Sequence, residues 1–458
     1  MRLLVLLSIA FALALSAAEP IPVLVKTSPK DKGKTYPTLT VVHVQGFTPQ
    51  NELPKLSTYG GDLSRKTDAR GFFYAKKEGE RWWLVDPEGY DFIHVAVCSV
   101  TPAHGSPKTT EAFTSKFGSE AKWAAATSEL LHANGFNGSG AWSNDAVMKA
   151  APQRVVYCPI WNLMSAYGKK RGGTVQKPGH TGYPNDAIFV FDPDFELFAM
   201  EHAKQLVATK DDPWLLGHFS DNELPFYRKS LDKFLALEKD DYGYKGAKAW
   251  LDQRGGDAKK ISDDEREAFL GYIIDRYFSV CAKAIKMHDP NHLYLGSRFH
   301  SDEKKIAAAF QAAGKHLDVV SVNLYHQWTP DFEQLANWVK WSGKPFMITE
   351  FYAKGEDSGM ANTTGAGWLV KTQRERGLFY QNFSMGLLES KGCVGWHYFK
   401  YLDNDPENTK VDPSNRDSNK GILTACFEPW TDMLKLMREV NVNVYGLISH
   451  TDKGGRIH

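Results

Sequence analysis

Two short segments of the chain end in a glutamate after an apolar run: His218-Phe-Ser-Asp-Asn-Glu223 and Phe346-Met-Ile-Thr-Glu350. A carboxyl group where a strand stops points toward a ligand or solvent more readily than toward the core, and two that face each other can divide labour. Each disfavours ionisation of the other, so one keeps its proton and the other its charge. Breaking a glycosidic bond needs that division, with an acid on the leaving oxygen and a carboxylate across the anomeric carbon. The Asn-Glu dipeptide alone is a weak signal, since Asn51-Glu52 repeats it inside the same tetrapeptide, NELP, in a stretch outside the strand pattern. The weight of Glu223 and Glu350 comes from where they sit in the alternation of elements.

From about residue 92 onward, short apolar runs alternate with segments of helical period, the pattern of βα units and a parallel sheet. The runs are Asp91–Val100, Phe136–Ala141, Arg154–Ile160, Trp214–Ser220, His292–Ser297, Val319–Leu324, Pro345–Glu350 and Cys393–Phe399. Eight such units predict a (β/α)8 TIM barrel, in which the ends of strands four and seven project into one bowl at the C-terminal face. Periodicity is plainest in Glu265–Met287, where Leu270, Ile273, Ile274, Tyr277, Phe278, Cys281, Ala284 and Ile285 recur at three and four residues and Pro290 stops the helix. It is also read in Ala121–Ala133, Phe195–Ala208, Leu369–Leu388 and Trp430–Val440. Two long βα-loop insertions, Trp161–Asp192 and Leu224–Asp264, fall on the face where such folds keep their sites. Gly71–Tyr90 reads as a hairpin covering one end of the barrel, and before it only Leu39–Val44 is strand-like. The division expected is a signal peptide at 1–18, a short N-terminal β extension with the hairpin at 19–90, the barrel at 91–445 and a C-terminal tail at 446–458.

The leader reading rests on Arg2, the small and apolar run Leu3 to Leu15, and Ser16-Ala17-Ala18 before Glu19, with cleavage expected after Ala18. It places the mature protein outside the cytoplasm, secreted or periplasmic. The run falls short of the roughly 20 apolar residues that span a bilayer, and no membrane span is expected in the mature chain. Lys plus Arg number 55 against 54 Asp plus Glu, so no basic surplus points to nucleic acid. A 42% hydrophobic chain of 458 residues can bury a large core, which excludes a disordered or disulfide-stapled protein. Cys98, Cys158, Cys281, Cys393 and Cys426 show no CxxC spacing and read as small buried hydrophobes, one disulfide being left open. His218, His300 and His326 are too scattered for a ligand set, so no metal and no cofactor is expected. Asp403–Asn419, rich in Asp and Asn, lacks the glycine of a twelve-residue calcium loop and reads as a strand-eight loop beside the site, calcium staying open.

On these residues the chain resembles the retaining glycoside hydrolases of clan A, which carry an acid/base Glu after an Asn at the end of strand four and a nucleophilic Glu at the end of strand seven. The resemblance implies Glu223 as acid/base and Glu350 as nucleophile, working by double displacement. It implies that Asn222 bonds the sugar 2-hydroxyl, that Tyr325, which closes strand six after Asn323, orients Glu350, and that Trp396 on strand eight floors the central sugar subsite. Arg298 and His300 after strand five, and His326 after strand six, complete the lining, while Asp221 bonds a neighbouring loop or a sugar hydroxyl. Trp142, Trp161, Trp328 and Trp368 are divided between sugar stacking and core. Within the clan, five stretches are most similar to bacterial β-agarases and related β-galactan hydrolases: Gly71-Phe-Phe with Arg81-Trp-Trp-Leu-Val-Asp-Pro-Glu-Gly89, Gly135-Phe-Asn with Trp142-Ser, Ser220-Asp-Asn-Glu-Leu224, Asp289-Pro-Asn-His292, and Tyr401-Leu-Asp-Asn-Asp405 with Asn419-Lys-Gly-Ile422. The N-terminal carbohydrate-binding sandwich that such agarases often carry has no counterpart in residues 1–70.

The partner implied is a β-linked polysaccharide, agarose-like or porphyran-like. Other clan A specificities (β-galactosidase, β-glucanase, mannanase) and a polysaccharide-binding barrel without chemistry stay open, as do endo or exo action and oligomeric state. A mature chain without net charge exerts no long-range pull on heavily sulfated sugars, although Lys169-Lys170-Arg171 offers local charge in the third βα loop.

Overall fold

Each of the eight apolar runs contains one short parallel strand: β1 (His94–Val97), β2 (Gly138–Ser139), β3 (Val156–Tyr157), β4 (Gly217–Phe219), β5 (Leu293–Gly296), β6 (Val320–Asn323), β7 (Phe346–Glu350) and β8 (Cys393–Tyr398). They belong to a computed structural model that describes residues 18–102, 106–177, 179–408 and 416–458. The expected leader lies outside the described residues save Ala18, and none of the described helices is long and apolar enough to cross a membrane. Strands β6, β7, β8, β1, β2 and β3 pair in that order as one parallel sheet, and β4 pairs with β5. Isolated parallel bridges link Tyr157 to Leu215, Ile160 to Phe219 and Phe299 to Val322, beside the two ends of the β4–β5 pair. The fold is α/β around a central parallel sheet, and because all strands run the same way their C-terminal ends share one face. Register shifts fall at His218/Phe219 and Val322/Asn323, the second where Asn323 pairs with Glu350.

Two apolar clusters hold these strands. The smaller gathers Val156, Leu216, Phe219, Leu293, Leu295, Val319, Met347 and Val394 with Phe73, Leu84 and Phe92 of the N-terminal hairpin region. The hairpin, Tyr74–Glu78 paired antiparallel with Arg81–Val85, lies within the expected Gly71–Tyr90 and packs against this cluster. The larger cluster lies between strands and helices. Its longest helix, Asp263–His288, starts with a capping box in which the Ser262 hydroxyl accepts from the Glu265 amide at 3.2 Å. It buries Leu270, Ile274, Tyr277, Phe278, Cys281 and Ile285 along one face.

Two parts of the chain depart from the sequence expectation. Leu39–Val44 is no strand, because its donors are taken by side chains of the helix Gln373–Glu389: Leu39 N–H bonds Asn382 Oδ1 and Val41 N–H bonds Gln381 Oε1, both at 2.9 Å. A 3-10 turn, Val41–His43, results, and the strands here are Ile21–Val25 and Lys34–Thr38. Residues 446–458 are not a tail either. They continue the helix Val444–Asp452, whose Asp452 takes Arg81 Nε at 2.8 Å, and the chain end is held by Glu389 through the Ile457 and His458 amides. All five cysteines are free thiols, four of them buried.

Candidate active site

At the C-terminal ends of the strands the backbone bends sharply. Just beyond six successive strands a non-glycine residue takes left-handed φ: Ser99 (55°), Trp142 (69°), Asn162 (56°), Glu223 (50°), Arg298 (57°) and His326 (60°). Each such residue costs about 1–3 kcal/mol and persists only where its surroundings over-determine it. Together they turn side chains from the strand direction toward a cleft of about 610 Å³ lined by Glu223 and Glu350.

Glu350 is the last residue of β7 and is 6% exposed. Its Oε1 accepts from Arg298 at 2.7 Å and its Oε2 from the Tyr325 hydroxyl. Burial raises its pKa above the ordinary carboxylate value, while the guanidinium and the phenol pull it back. Glu223 Oε1 accepts from Asn323 Nδ2 at 2.8 Å and stands 3.3 Å from His300 Nδ1. Burial raises this carboxyl too, with the Asn323 bond as the leading counterweight. The two are therefore unlike: a cation and a phenol hold both oxygens of one, and a neutral amide holds the other. Burial, then Lys304, lowers His300 to about 4, so it faces Glu223 as a neutral imidazole.

The cleft brings together Glu223, Glu350, Asn222, Tyr325, His300 and Trp142, the last 37% exposed. Arg298 and Asn323 are fully buried beneath them and act through neighbours. Arg298 donates to Asn222 Oδ1 and the Thr349 carbonyl, each at 2.9 Å, as well as to Glu350. His326 packs its ring edge-on to Trp368, 5.5 Å away, to the side of the cleft.

One expectation needs correction. Trp396 cannot floor a sugar subsite: it is fully buried on the helix side of β8, and its indole donates to Tyr380 of the helix Gln373–Glu389. Of the two partners expected for Asp221, a neighbouring loop or a sugar hydroxyl, the structure shows the loop, and the residue touches no ligand space. It is completely buried, accepting from the Met164 and Ser165 amides at 2.8 and 3.1 Å and from the Tyr277 hydroxyl at 2.6 Å, with burial raising it to about 7. It thereby caps the N-terminus of the helix Leu163–Arg171, the first element of the third βα insertion. Trp161 and Trp328 spend their indole N–H groups on His218 and Thr38.

That insertion walls the cleft with Asn162, Ser165, Lys169 and a hairpin of Val175–Lys177 with His180–Gly182. Lys170 lies over the Phe198 ring and Arg171 pairs with Asp192 and Asp241, leaving Lys169 as the cleft-lining member of that basic triplet. The strand-eight loop contributes Phe399, Lys400, Asn404 and Lys420, and Asp403 pins its base through the Lys420 and Gly421 amides. Tyr352, two residues past β7, adds an aromatic wall. Ser99, Asn162, Tyr352 and Phe399 escaped the sequence reading, although the rule that singled out Glu223, a polar or aromatic residue just past a strand end, applies to each. Among the described residues two buried groups have metal-ligand types, His94, Cys158 and His397, and His218, Asp289 and His292. In the second, Asp289 Oδ2 is shared by both imidazoles at 2.7 Å while Trp161 occupies the other His218 nitrogen.

No family model matches the chain. It is 27% identical to β-agarase B of Vibrio sp. (strain JT0107) over 299 residues, 56% of this chain and 30% of that protein. The chain thus matches less than a third of the length of that curated relative. Among solved structures, BpGH50 superposes with a TM-score of 0.84 at 30% identity, covering 96% of this chain and 98% of the other. An agarase, AgWH50C, superposes at 0.72 with 22% identity, covering 87% and 67%.

Proposed function

We propose, for a chain that belongs to the GH50 family, the activity of a glycoside hydrolase cleaving β-linked galactan of agarose or porphyran type. The likeness to β-agarase B supports the substrate class, and the paired strand-end glutamates support the chemistry. We read the eight parallel strands, with the bridges beside the β4–β5 pair, as a (β/α)8 barrel with its site at the C-terminal face. The leader pattern at 1–18 supports export to the periplasm or medium.

The observation that carries the mechanism is the contrast between the carboxyl groups. Glu350, with donors on both oxygens, is arranged to stay ionised and attack the anomeric carbon. Glu223, facing an amide and a neutral imidazole, is arranged to keep its proton and deliver it to the leaving oxygen. Water, activated by the now ionised Glu223, then releases the sugar with net retention. Tyr325 and Arg298 hold Glu350 on line, Asn222 meets the sugar beside the reacting carbon, and Trp142 offers a stacking face.

The test is product release from agarose, porphyran, β-1,4-galactan, β-glucan and mannan by the wild type and by Glu223→Gln and Glu350→Ala, with the anomer of first-formed product read by NMR. Retained product from a galactan, lost in both variants, with azide restoring turnover of Glu350→Ala as an inverted glycosyl azide, is the expected result. Inverted first-formed product would remove Glu350 as nucleophile, and release only from glucan or mannan would remove the substrate class.

A further inference from the structure

Beyond β7 the chain enters a short strand, Ala353–Gly355, that pairs in parallel with Trp368–Val370. The connection between them reaches the cleft at Gly365 and Ala366. Under it lies Lys354, 1% exposed, whose ammonium donates to the carbonyls of Asn362 (3.4 Å), Thr364 (3.0 Å) and Gly365 (3.0 Å) and makes no ion pair with any described residue. From the other side Asp417 accepts from the amides of Thr363 (2.9 Å) and Thr364 (3.0 Å) and from both their hydroxyls, and its own carbonyl takes the Asn362 amide at 2.9 Å. One turn, Asn362–Gly365, thus has its carbonyls gathered by a buried cation and its amides by an anion. An ammonium is the side-chain group that offers three diverging donors from one atom.

The turn leads to the nucleophile. Gly365 has φ 84°, and a Cβ there would lie 2.4 Å from the Tyr352 hydroxyl, so the backbone abuts the end of that side chain. Tyr352 packs edge-on against Tyr325 at 5.6 Å, and Tyr325 bonds Glu350. The mechanism above uses neither Lys354 nor Asp417.

We propose that Lys354 and Asp417 are paired positioning residues that clamp the Asn362–Gly365 turn, so that Gly365 fixes Tyr352 and Tyr352 fixes Tyr325 on Glu350. The step to catalysis rests on Glu350 being the nucleophile; the clamp itself does not. Three charged groups and one imidazole lie on the elements around Lys354. Asp417 favours its ammonium. His326 at the end of β6 is pushed down by burial, then by Lys304 and Lys354, Arg376 bonds the neighbouring Ala353 carbonyl, and Glu356 on the same segment is paired outward with Lys26. Burial dominates and lowers Lys354 to about 8, so the clamp loosens on the alkaline side.

Lys354→Met and Asp417→Asn, with their double variant, test this in the full chain by hydrogen exchange of the 362–367 amides and by the pH profile of kcat/KM on the preferred galactan. Both single variants are expected to lose protection in that segment and to lower kcat about 10- to 100-fold with little change in KM. Their acid limb should move upward, because Tyr325 helps keep Glu350 ionised. The double variant should fall no further than the worse single, as expected for residues acting through one element. Unchanged protection would overturn the clamp, and lost activity with an unmoved acid limb would overturn its link to the nucleophile. Should Lys354→Met fail to fold, Asp417→Asn on the more exposed side carries the same expectation. A wild type inactive on every galactan defeats the functional reading instead, and hydrogen exchange still decides the clamp.

Discussion

Replacing Arg298 by Met separates the two duties the structure gives it. Its guanidinium lies 2.7 Å from Glu350 Oε1 in a fully buried position and also braces Asn222 and Thr349. Opposite charges near 4 Å attract by about 4 kcal/mol at an effective dielectric of about 20, and one pKa unit corresponds to about 1.4 kcal/mol. Loss of the pair therefore raises Glu350 by at most about three units, and about two is expected with the Tyr325 bond retained. The sign follows from which form Arg298 favours: without it Glu350 holds its proton to higher pH, and the acid limb of kcat/KM moves up. Activity about two units below the new pKa falls about 100-fold from protonation alone, and the lost brace on Asn222 lowers the plateau at every pH. Stability reports the same event. A buried charge stripped of its partner costs about 3–5 kcal/mol, and protonation relieves it. A carboxyl whose folded pKa is raised contributes stability below its unfolded pKa that is lost as pH rises through the folded one. The variant should thus melt higher at pH 5 than at pH 8, by more than the wild type does. Arg298→Lys should not rescue, because one ammonium cannot reach Glu350, Asn222 and Thr349 together. The assay is a pH series of kcat/KM with melting curves in the same buffers. An acid limb coinciding with that of the wild type would falsify the claim that Arg298 sets the charge of Glu350.

Three further outcomes follow from burial. Trp142→Ala should raise KM with little loss of stability, since its indole is partly exposed in the cleft, whereas Trp396→Ala should cost about 3–5 kcal/mol in stability, measured by urea unfolding, because that ring is fully buried against Tyr380. Glu303, fully buried beneath the His300 and Ser301 amides, is raised by burial to about 7. Its raised pKa contributes stability present below about pH 4 that fades as pH climbs through about 7, so Glu303→Gln should flatten that part of the melting-temperature profile; an unchanged slope would show that another group carries it.

Period and turn chemistry made the strands and long helices legible: all eight runs hold a strand, and Pro290 ends the helix at His288 as read. Position past a strand end also located Glu223 and Glu350. What failed was the sense of a side chain about its strand. β8 is joined to β7 with a register shift near Ile348 and Trp396, which puts Trp396 toward the helices and leaves Phe399 to face the cleft. Apolar pattern alone does not reveal such a shift. Asp221 was left between a loop and a sugar hydroxyl because its partners, Met164, Ser165 and Tyr277, lie far from it in sequence. Leu39–Val44 was misread because side-chain amides of a distant helix replaced a neighbouring strand.

The cap that Asp221 places on the helix Leu163–Arg171 joins the wall of the cleft to the backbone two residues before Glu223. The wall and Glu223 are therefore coupled: a segment 161–192 exchanged from another member of the family arrives without its anchor unless the recipient also presents a carboxylate at 221 and a phenol at 277. Changes made by swapping this loop would then tilt Glu223 as well as reshape the cleft, and the productive exchange unit is the pair of βα connections after β3 and β4 together with the face of the helix Asp263–His288 that carries Tyr277.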